Sequence, residues 1–513
     1  MMSSLREKFS GDKLKNKMED MKMKKLISLF MLLVIMVGCS LTACRDKSEE
    51  EDSEKSVSAT TVESNGYVPD SLPELDFNGR KINILSWKST PYEFSDKLTN
   101  NVVEDSLWLR LENVKSRLNI TPEIEYIDGS NDYLDQFKQK VQTSILSDSS
   151  DTGYDIIVQY SGFGMMGATA GYYIDLNDCK YIDFDKPWWP ENLKECLNIS
   201  DSIYFVSGDI SVCRTTGLFA ILTNNDILND YKIKDEPYIL AASGKWTLEK
   251  MMNMSKDIYT DLDRDDKQSD GDEYGFVFIN TVSADAFLEG SGIKMISKSN
   301  DGKLVVDSSF LGEKTDTLVN KLSEFIYRND GVHVNSKYAA VFPEGHAMFM
   351  VGKIDTLMYY MDDSTFSYGV LPIPKYDENQ ANYKTTVNFN YSMYSITKTA
   401  ANPDEIAAVL EALASEGYRT VSPAVFDKAF KLRYSEDSTI SAMFDIIRDS
   451  TSFDIGRLST HTFEAANVKS LVIAFREMVM ANTGGWKTVA TRFSTQWQGE
   501  LDVISKAYTD VSA

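Results

Sequence analysis

The densest cluster of side chains able to do chemistry is Asp261-Leu262-Asp263-Arg264-Asp265, with carboxylates at positions one, three and five of a loop whose ninth and twelfth positions are Ser269 and Asp272. Oxygen donors at that spacing are those of a calcium loop of the EF-hand type, so Asp261, Asp263, Asp265, Ser269 and Asp272 are the expected ligands of a structural calcium. Two positions depart from the pattern. Asp266 stands where glycine normally makes the sharp turn, and Asp272 is a shorter arm than the usual glutamate. The same residues also read as a solvated acidic loop between a helix and a strand.

A second motif, Gly162-Phe163-Gly164-Met165-Met166-Gly167, matches the glycine spacing of a dinucleotide-binding turn, with Asp183 near the distance of a ribose-binding carboxylate. It follows the third predicted strand instead of the first, so the sequence reads it as a flexible loop that lets backbone approach a ligand. Motifs for catalysis are missing: there is no G-x-S-x-G and no H-E-x-x-H, and His333, His346 and His461 are scattered. With 77 acidic residues, accidental carboxylate pairs are guaranteed and decide nothing about glycoside hydrolysis. No enzyme and no required cofactor are expected.

These groups must be positioned by regular elements, and the first stretch alternates them. Lys81 to Ser86 reads as a strand, Val103, Leu107, Leu111, Val114 and Leu118 recur at helical spacing, and Glu123 to Ile127 alternates as a strand. Leu134, Phe137, Val141 and Ile145 are helical again, and Asp155-Ile156-Ile157-Val158 is a short apolar strand. That order predicts a parallel, doubly wound sheet with helices on both faces. Further on, Asn402-Pro403-Asp404-Glu405 opens a helix with Gly417 as its stop, and Thr247 caps another.

The first residues carry the expected address of the protein. Lys22, Lys24 and Lys25 precede an apolar run from Leu26 to Val37, the length of a signal-peptide core and too short to span a bilayer. Leu41-Thr42-Ala43-Cys44 resembles the bacterial lipobox, which makes Cys44 the expected acylated first residue; Cys39 is a second candidate. Residues 45–75 are too polar and too acidic to fold and read as a tether. The formal net charge of −24 repels nucleic acid, and eight of the basic residues lie upstream of Cys44. Cys179, Cys196 and Cys213 show no disulfide-framework or zinc spacing and read as buried thiols, with a single bridge among them left open.

The order of blocks over residues 80 to 510 resembles the extracellular solute-binding proteins of family 1, the maltose-binding type. The residues that carry the resemblance are Tyr154-Asp155-Ile156-Ile157, Tyr204 to Ser211 leading to Leu222-Thr223-Asn224-Asn225-Asp226, Gly244 to Glu249, Phe342 to Met348, Tyr368 to Pro374, and Asn402-Pro403-Asp404. The resemblance implies a two-lobed α/β fold of the type II periplasmic-binding-protein kind, each lobe a doubly wound sheet, hinged by crossing segments. Its expected layout is residues 1–43 as signal peptide with an extension, 44–77 as lipidated cysteine and tether, 78–208 plus 369–418 as one lobe, and 209–368 plus 419–513 as the other. It implies a monomer that captures a small polar solute, a mono- or oligosaccharide, outside the cell and delivers it to the permease subunits of an ABC importer, attached to the membrane through lipid alone. A secreted carbohydrate-active hydrolase and a sensory module serving a receptor kinase stay open beside it. One block departs: Val351-Gly352-Lys353-Ile354 offers no aromatic residue where maltose-type members stack one on a sugar.

Ligands of such sheets sit beyond the strand ends, and sugars need aromatic platforms with donors and acceptors around them. The expected site residues are therefore Trp87, Tyr160 and Phe163 at strand ends, Asp209, Ser211 and Arg214 at the hinge, Asn388 and Asn390 on the return, and Trp486 from the second lobe.

Overall fold

Residues 68–147, 153–334, 341–431 and 438–512 are described in the computed structural model. The export signal, Cys39, Cys44 and the tether as far as residue 67 lie outside them; the tether reading is corrected for residues 68–77, where Asp70 accepts from Arg117 Nη1 and Nη2 at 2.6 and 2.7 Å and Leu72, Leu75 and Phe77 pack against the core. No helix among the described residues is long and apolar enough to cross a membrane.

The alternating stretch forms the predicted parallel sheet. Strands Arg80–Trp87, Ile120–Ile127 and Ile156–Tyr160 pair in parallel with the first in the middle, and Ser392–Ile396 adds antiparallel beside the third. Helix Val102–Leu118 buries Val103, Leu107, Leu111, Val114 and Leu118, as the spacing requires. Asn101 starts it by accepting from the amides of Val103 and Glu104, and Asn119 ends it at φ +50°. Helix Leu134–Leu146 buries Phe137, Val141 and Ile145 in the same way.

The glycine-rich motif corrects the sequence reading, because it is a buried helix, Ser161–Thr169, and no loop. Each glycine makes room for a ring. A Cβ on Gly162 would meet the His461 ring at 2.2 Å, one on Gly164 the Phe205 ring at 2.7 Å, and one on Gly167 the Tyr173 hydroxyl at 2.3 Å. The motif is spaced for packing against these rings.

A second sheet builds the other lobe. Its strand order is Tyr368–Leu371, Phe219–Asn224, Ala347–Lys353 and Glu273–Phe278, whose far edge is shared by Tyr259–Thr260 and Val332–Val334. The expected return to the first lobe at Gly369 is corrected here, since Gly369 pairs with Thr223 inside this sheet. The chain returns later, between Val387, which bridges to Leu218, and the first-lobe strand that starts at Ser392. The third crossing also comes later than Tyr418. Helix Pro403–Glu416 runs on through wider π turns, Gly417–Val421 and Ala424–Phe430, and the next described helix, Ser438–Asp449, packs on the second sheet's Tyr368–Leu371 strand.

Both ends of that long helix differ from expectation. Asn402 sits at φ +49° with no side-chain capping bond, so Pro403 and the carboxylates alone mark the start. Gly417 keeps a helical φ of −58°, and a Cβ there would lie 2.1 Å from the Asp209 carbonyl oxygen. It lets this helix pass backbone to backbone beside the first crossing segment, and the chain stays helical through it. The Thr247 cap forms as expected, accepting from the Lys250 amide at 3.4 Å.

The carboxy-terminal helix Trp486–Ser512 begins in the core. Trp486 is fully buried between Phe310, Phe475 and Trp497, and its Nε1 donates to the Phe310 carbonyl at 2.7 Å. It presents no face to the groove between the lobes. Phe163 is likewise a core residue, edge-on to Phe137 at 5.4 Å.

Candidate ligand-binding site between the lobes

Four segments distant in sequence converge where the lobes meet: Ser161 at the end of the third strand, helix Ser283–Gly290, the returning segment 386–391, and Asp454 with helix Ile455–Leu458. Asp454 caps that helix by accepting from Gly456 N at 2.7 Å and also accepts from Met295 N at 2.8 Å. The cap fixes Arg457 one turn in. Its Nη1 donates to the Val387 carbonyl at 2.5 Å and to Thr386 Oγ1, and its guanidinium lies 4.2 Å over the Phe389 ring.

Asp285, fully buried, holds the cluster together. Arg476 Nε and Nη2 donate to its two oxygens at 2.7 and 2.5 Å, and Arg457 Nη2 lies 3.3 Å away. One turn on, Glu289 accepts at Oε2 from Ser452 Oγ at 3.2 Å. Burial pushes the Glu289 carboxyl up to about 7, with Arg457 pulling against it. Burial likewise lifts Asp454 to about 6, against the amides it accepts from.

These residues line a small enclosed cavity of about 10 Å³, room for about one water. It adjoins a groove of about 600 Å³ that shares Glu289, Ser452, Phe453 and Asp454 and opens past Asn198 and Lys298, a volume within the range of small-molecule sites. The first-lobe wall is tied to the second by Lys298, whose Nζ donates to the Glu195 and Asn198 carbonyls, and by Asn192 Nδ2 donating to the Thr451 carbonyl.

Several side chains here have unmet polar atoms. Among the described residues, Glu289 Oε1, Arg457 Nε and Nη2, and Asn198 Oδ1 are buried without a hydrogen-bond partner. Such atoms are rare in folded proteins and costly, and four of them fall on residues that line this one region.

The predicted residues fall around this region in different ways. Trp87 is buried, its Nε1 donating to Ser392 Oγ at 2.8 Å, and its ring meets Tyr160 edge-on at 5.4 Å. Tyr160 leans on His461 at 5.8 Å, next to Ser161 of the cavity wall. Asp209, Ser211 and Arg214 hold the hinge. Arg214 donates to Asp209 Oδ1 at 2.9 Å and to the Gly208 carbonyl, Ser422 Oγ donates to the same Asp209 oxygen at 2.6 Å, and Ser211 Oγ donates to Glu93 Oε1 at 2.7 Å. Asn388 is buried, with its amide donating to Gly217 O, and Asn390 beside it is exposed. Glu289, Phe389, Tyr391 and Arg457 were missed. The available signal was Asp285-Ala286-Phe287-Leu288-Glu289, where two acids four apart sit in an apolar helix that must bury them against partners.

The acidic loop is separate from the groove. Carboxylate oxygens of Asp261, Asp263 and Asp265 lie within 4.8 Å of one another, and Asp266 takes φ +57° at the glycine position. Asp272 is turned inward, accepting from Leu262 N at 3.1 Å and Ser269 N at 2.8 Å, so its oxygens are already engaged. Ser269 Oγ accepts from Gly271 N at 3.1 Å. The three free cysteines form no bridge; Cys179 and Cys213 are buried, and Cys196 lines the groove half-buried.

No family model and no curated protein matches this sequence. Solved structures do. An ABC substrate-binding protein from Listeria monocytogenes in complex with cycloalternan matches with a TM-score of 0.51 and 12% identity, over 83% of this chain and 98% of that one. A cyclic alpha-maltosyl-1,6-maltose binding protein from Arthrobacter globiformis matches at 0.52 and 13%, over 84% and 99%. The maltose/maltodextrin-binding domain from Bdellovibrio bacteriovorus bound to maltotriose matches at 0.51 and 13%, over 82% and 100%. At such identities the likeness establishes the fold: this chain is a two-lobed, type II binding-protein fold of α/β class.

Proposed function

We propose that the protein captures a small polar solute, a mono- or oligosaccharide, in the groove between its lobes and delivers it to an ABC importer from the outer face of the cell membrane. The observation that carries the reading is the groove of about 600 Å³ between the lobes, whose lining holds Glu289 Oε1 and Asn198 Oδ1 buried without a hydrogen-bond partner. A bound solute with hydroxyls would satisfy them, while its C–H faces suit the ring of Phe453 on the same lining. The structural relatives, solved with bound oligosaccharides, support the solute class.

A thermal-shift screen against mono- and oligosaccharides tests it, because a ligand at 100 times its dissociation constant adds about 2.7 kcal/mol of stability. Stoichiometric binding with the saccharide recovered intact is expected. Release of smaller sugars would favour a hydrolase acting through Glu289 and Asp454, and no shift with any saccharide would remove the solute class. Attachment is assigned to acyl chains on Cys44, so Cys44→Ala should move the exported protein from the membrane fraction to the medium. Retention of the variant at the membrane would transfer that role to Cys39.

A further inference from the structure

We propose that the second lobe carries a latch, made of the antiparallel strands Ile296–Lys298 and Leu304–Val306 and the last turns of helix Trp486–Ser512, which grips the first lobe beside the groove and holds the lobes together through contacts of the chain itself. The latch needs no solute, so it stands whether or not the groove binds a saccharide.

The helix joins two regions that a hinge motion would separate. Its first turns are anchored in the second lobe, where Trp486 is buried between Phe310, Phe475 and Trp497. Helix Glu313–Tyr327, which packs on the second sheet's Val332–Val334 strand, packs on it as well. Its last turns lie against the first lobe. Tyr508 is fully buried there, with its ring edge-on to Tyr204 at 5.0 Å. Tyr204 Oη donates to the Tyr508 carbonyl at 3.4 Å, and Tyr508 Oη donates to Met165 Sγ at 3.4 Å. Met165 belongs to the helix that follows the third strand of the first sheet, and Tyr204 lies two residues before Val206, which bridges to Tyr394 of the same sheet. From Trp486 to Tyr508 the helix runs about 33 Å, at about 1.5 Å per residue. Lobes that rotate apart must therefore pull Tyr508 from its place or bend the helix.

The two short strands are fastened to the same helix. Gln498 Nε2 donates to the Leu304 carbonyl at 3.0 Å, and the Leu304 amide donates to Ser505 Oγ at 3.4 Å. Lys298 stands opposite Leu304 in the strand pairing, and its Nζ donates to the Glu195 and Asn198 carbonyls at the carboxyl end of the first-lobe helix Glu191–Leu197. An ammonium group suits that end, where the last carbonyls lack partners within the helix and carry its negative pole. Glu195, Asn198 and Lys298 also line the groove, so the latch forms part of its rim.

Burying a side chain the size of tyrosine shifts an equilibrium by about ten- to a hundredfold. Breaking the Tyr508 contact therefore sets the lobes' balance between closed and open, and the Lys298 contact adds to it. A solute brings its own contacts to a closed state that the latch already favours.

Small-angle X-ray scattering with no saccharide added, on the unaltered protein, Lys298→Met, Tyr508→Ala and the double variant, tests the latch, with melting temperatures measured in parallel. The unaltered protein should scatter as two lobes in contact. Tyr508→Ala should raise the ratio of open to closed molecules at least about tenfold, and the double variant should raise it further, read as a larger radius of gyration. Lys298 lies at the surface, so Lys298→Met leaves both cores untouched, and Tyr508→Leu keeps the test in hand should the alanine variant fail to fold. A lower melting temperature with unchanged scattering in the double variant would overturn the latch and leave Tyr508 as a packing residue. Scattering of the unaltered protein as an open pair of lobes would overturn it too. Neither result bears on the solute, which the thermal-shift screen decides separately.

Discussion

Asp285→Ala is expected to lower the stability of the fold by about 3–5 kcal/mol, because it leaves buried guanidinium charge without its counter-ion. Asp285 is fully buried and receives both donors of Arg476's fork, with Arg457 Nη2 3.3 Å away. Both guanidiniums also lie over the Phe389 ring, at 4.2 and 5.3 Å, so their displacement would move the groove wall with them. Asp285→Asn keeps the shape and one acceptor and should fall between the alanine variant and the unaltered protein. Urea denaturation followed by tryptophan fluorescence measures the loss. A change under about 1 kcal/mol for the alanine variant would mean that the cluster is solvated and its charges are not held by Asp285.

Stability should also fall as the pH rises from about 5 to 8, opposite to the trend of a protein governed by salt-bridged carboxylates. Glu411 is the cleanest source, since it is buried and remote in sequence from the groove segments. Trp188 Nε1 donates to its Oε1 at 3.1 Å, and Trp189 Nε1 to its Oε2 at 2.8 Å. Burial nonetheless lifts its carboxyl from an ordinary 4.5 to about 7. A carboxyl whose pKa is higher in the folded chain than in the unfolded one contributes stability that is complete below about 4.5 and is lost as the pH passes through about 7. For Glu411 that loss is on the order of 3 kcal/mol. Glu289, at about 7, and Asp454, at about 6, act in the same direction over the same window.

Asp70 sets the acid side. Against the cost of burial, Arg117, Ser415 and Arg419 hold it down at about 2, so its contribution is present above 3.8 and disappears as the pH falls through about 2. The melting temperature should therefore peak between about pH 4 and 5.5. Glu411→Gln should flatten the decline toward pH 8. A melting temperature constant or rising from pH 5 to 8 would show that these carboxyls are hydrated in the folded protein.

How far the residues alone could be read depended on the range of the interaction that placed them. Helix Val102–Leu118 and the strands beside it follow from periodicity, because burying one stripe or one run of residues is a requirement each segment meets by itself. Proline at position 403 could be read for the same local reason. Gly417 and the glycines of residues 162 to 167 could not, since glycine serves equally for a turn and for close passage of another chain. Only the Asp209 carbonyl, the His461 ring and the Phe205 ring decide which use applies. Gly369 misled in a related way: a strand's residues show that it pairs, and the second sheet alone shows with what.

The sequence by itself determined the α/β class and the alternation that builds the first sheet. Tertiary structure decided where the chain recrosses, that Trp486 and Phe163 are core, and that Glu289, Phe389, Tyr391 and Arg457 meet around one small cavity beside the groove. The physical reason is that hydrophobic periodicity is a property of neighbours along the chain. Pairing Asp285 with Arg476, or filling the space beside Gly162 with the His461 ring, instead needs partners brought from more than a hundred residues away, which only the folded chain supplies.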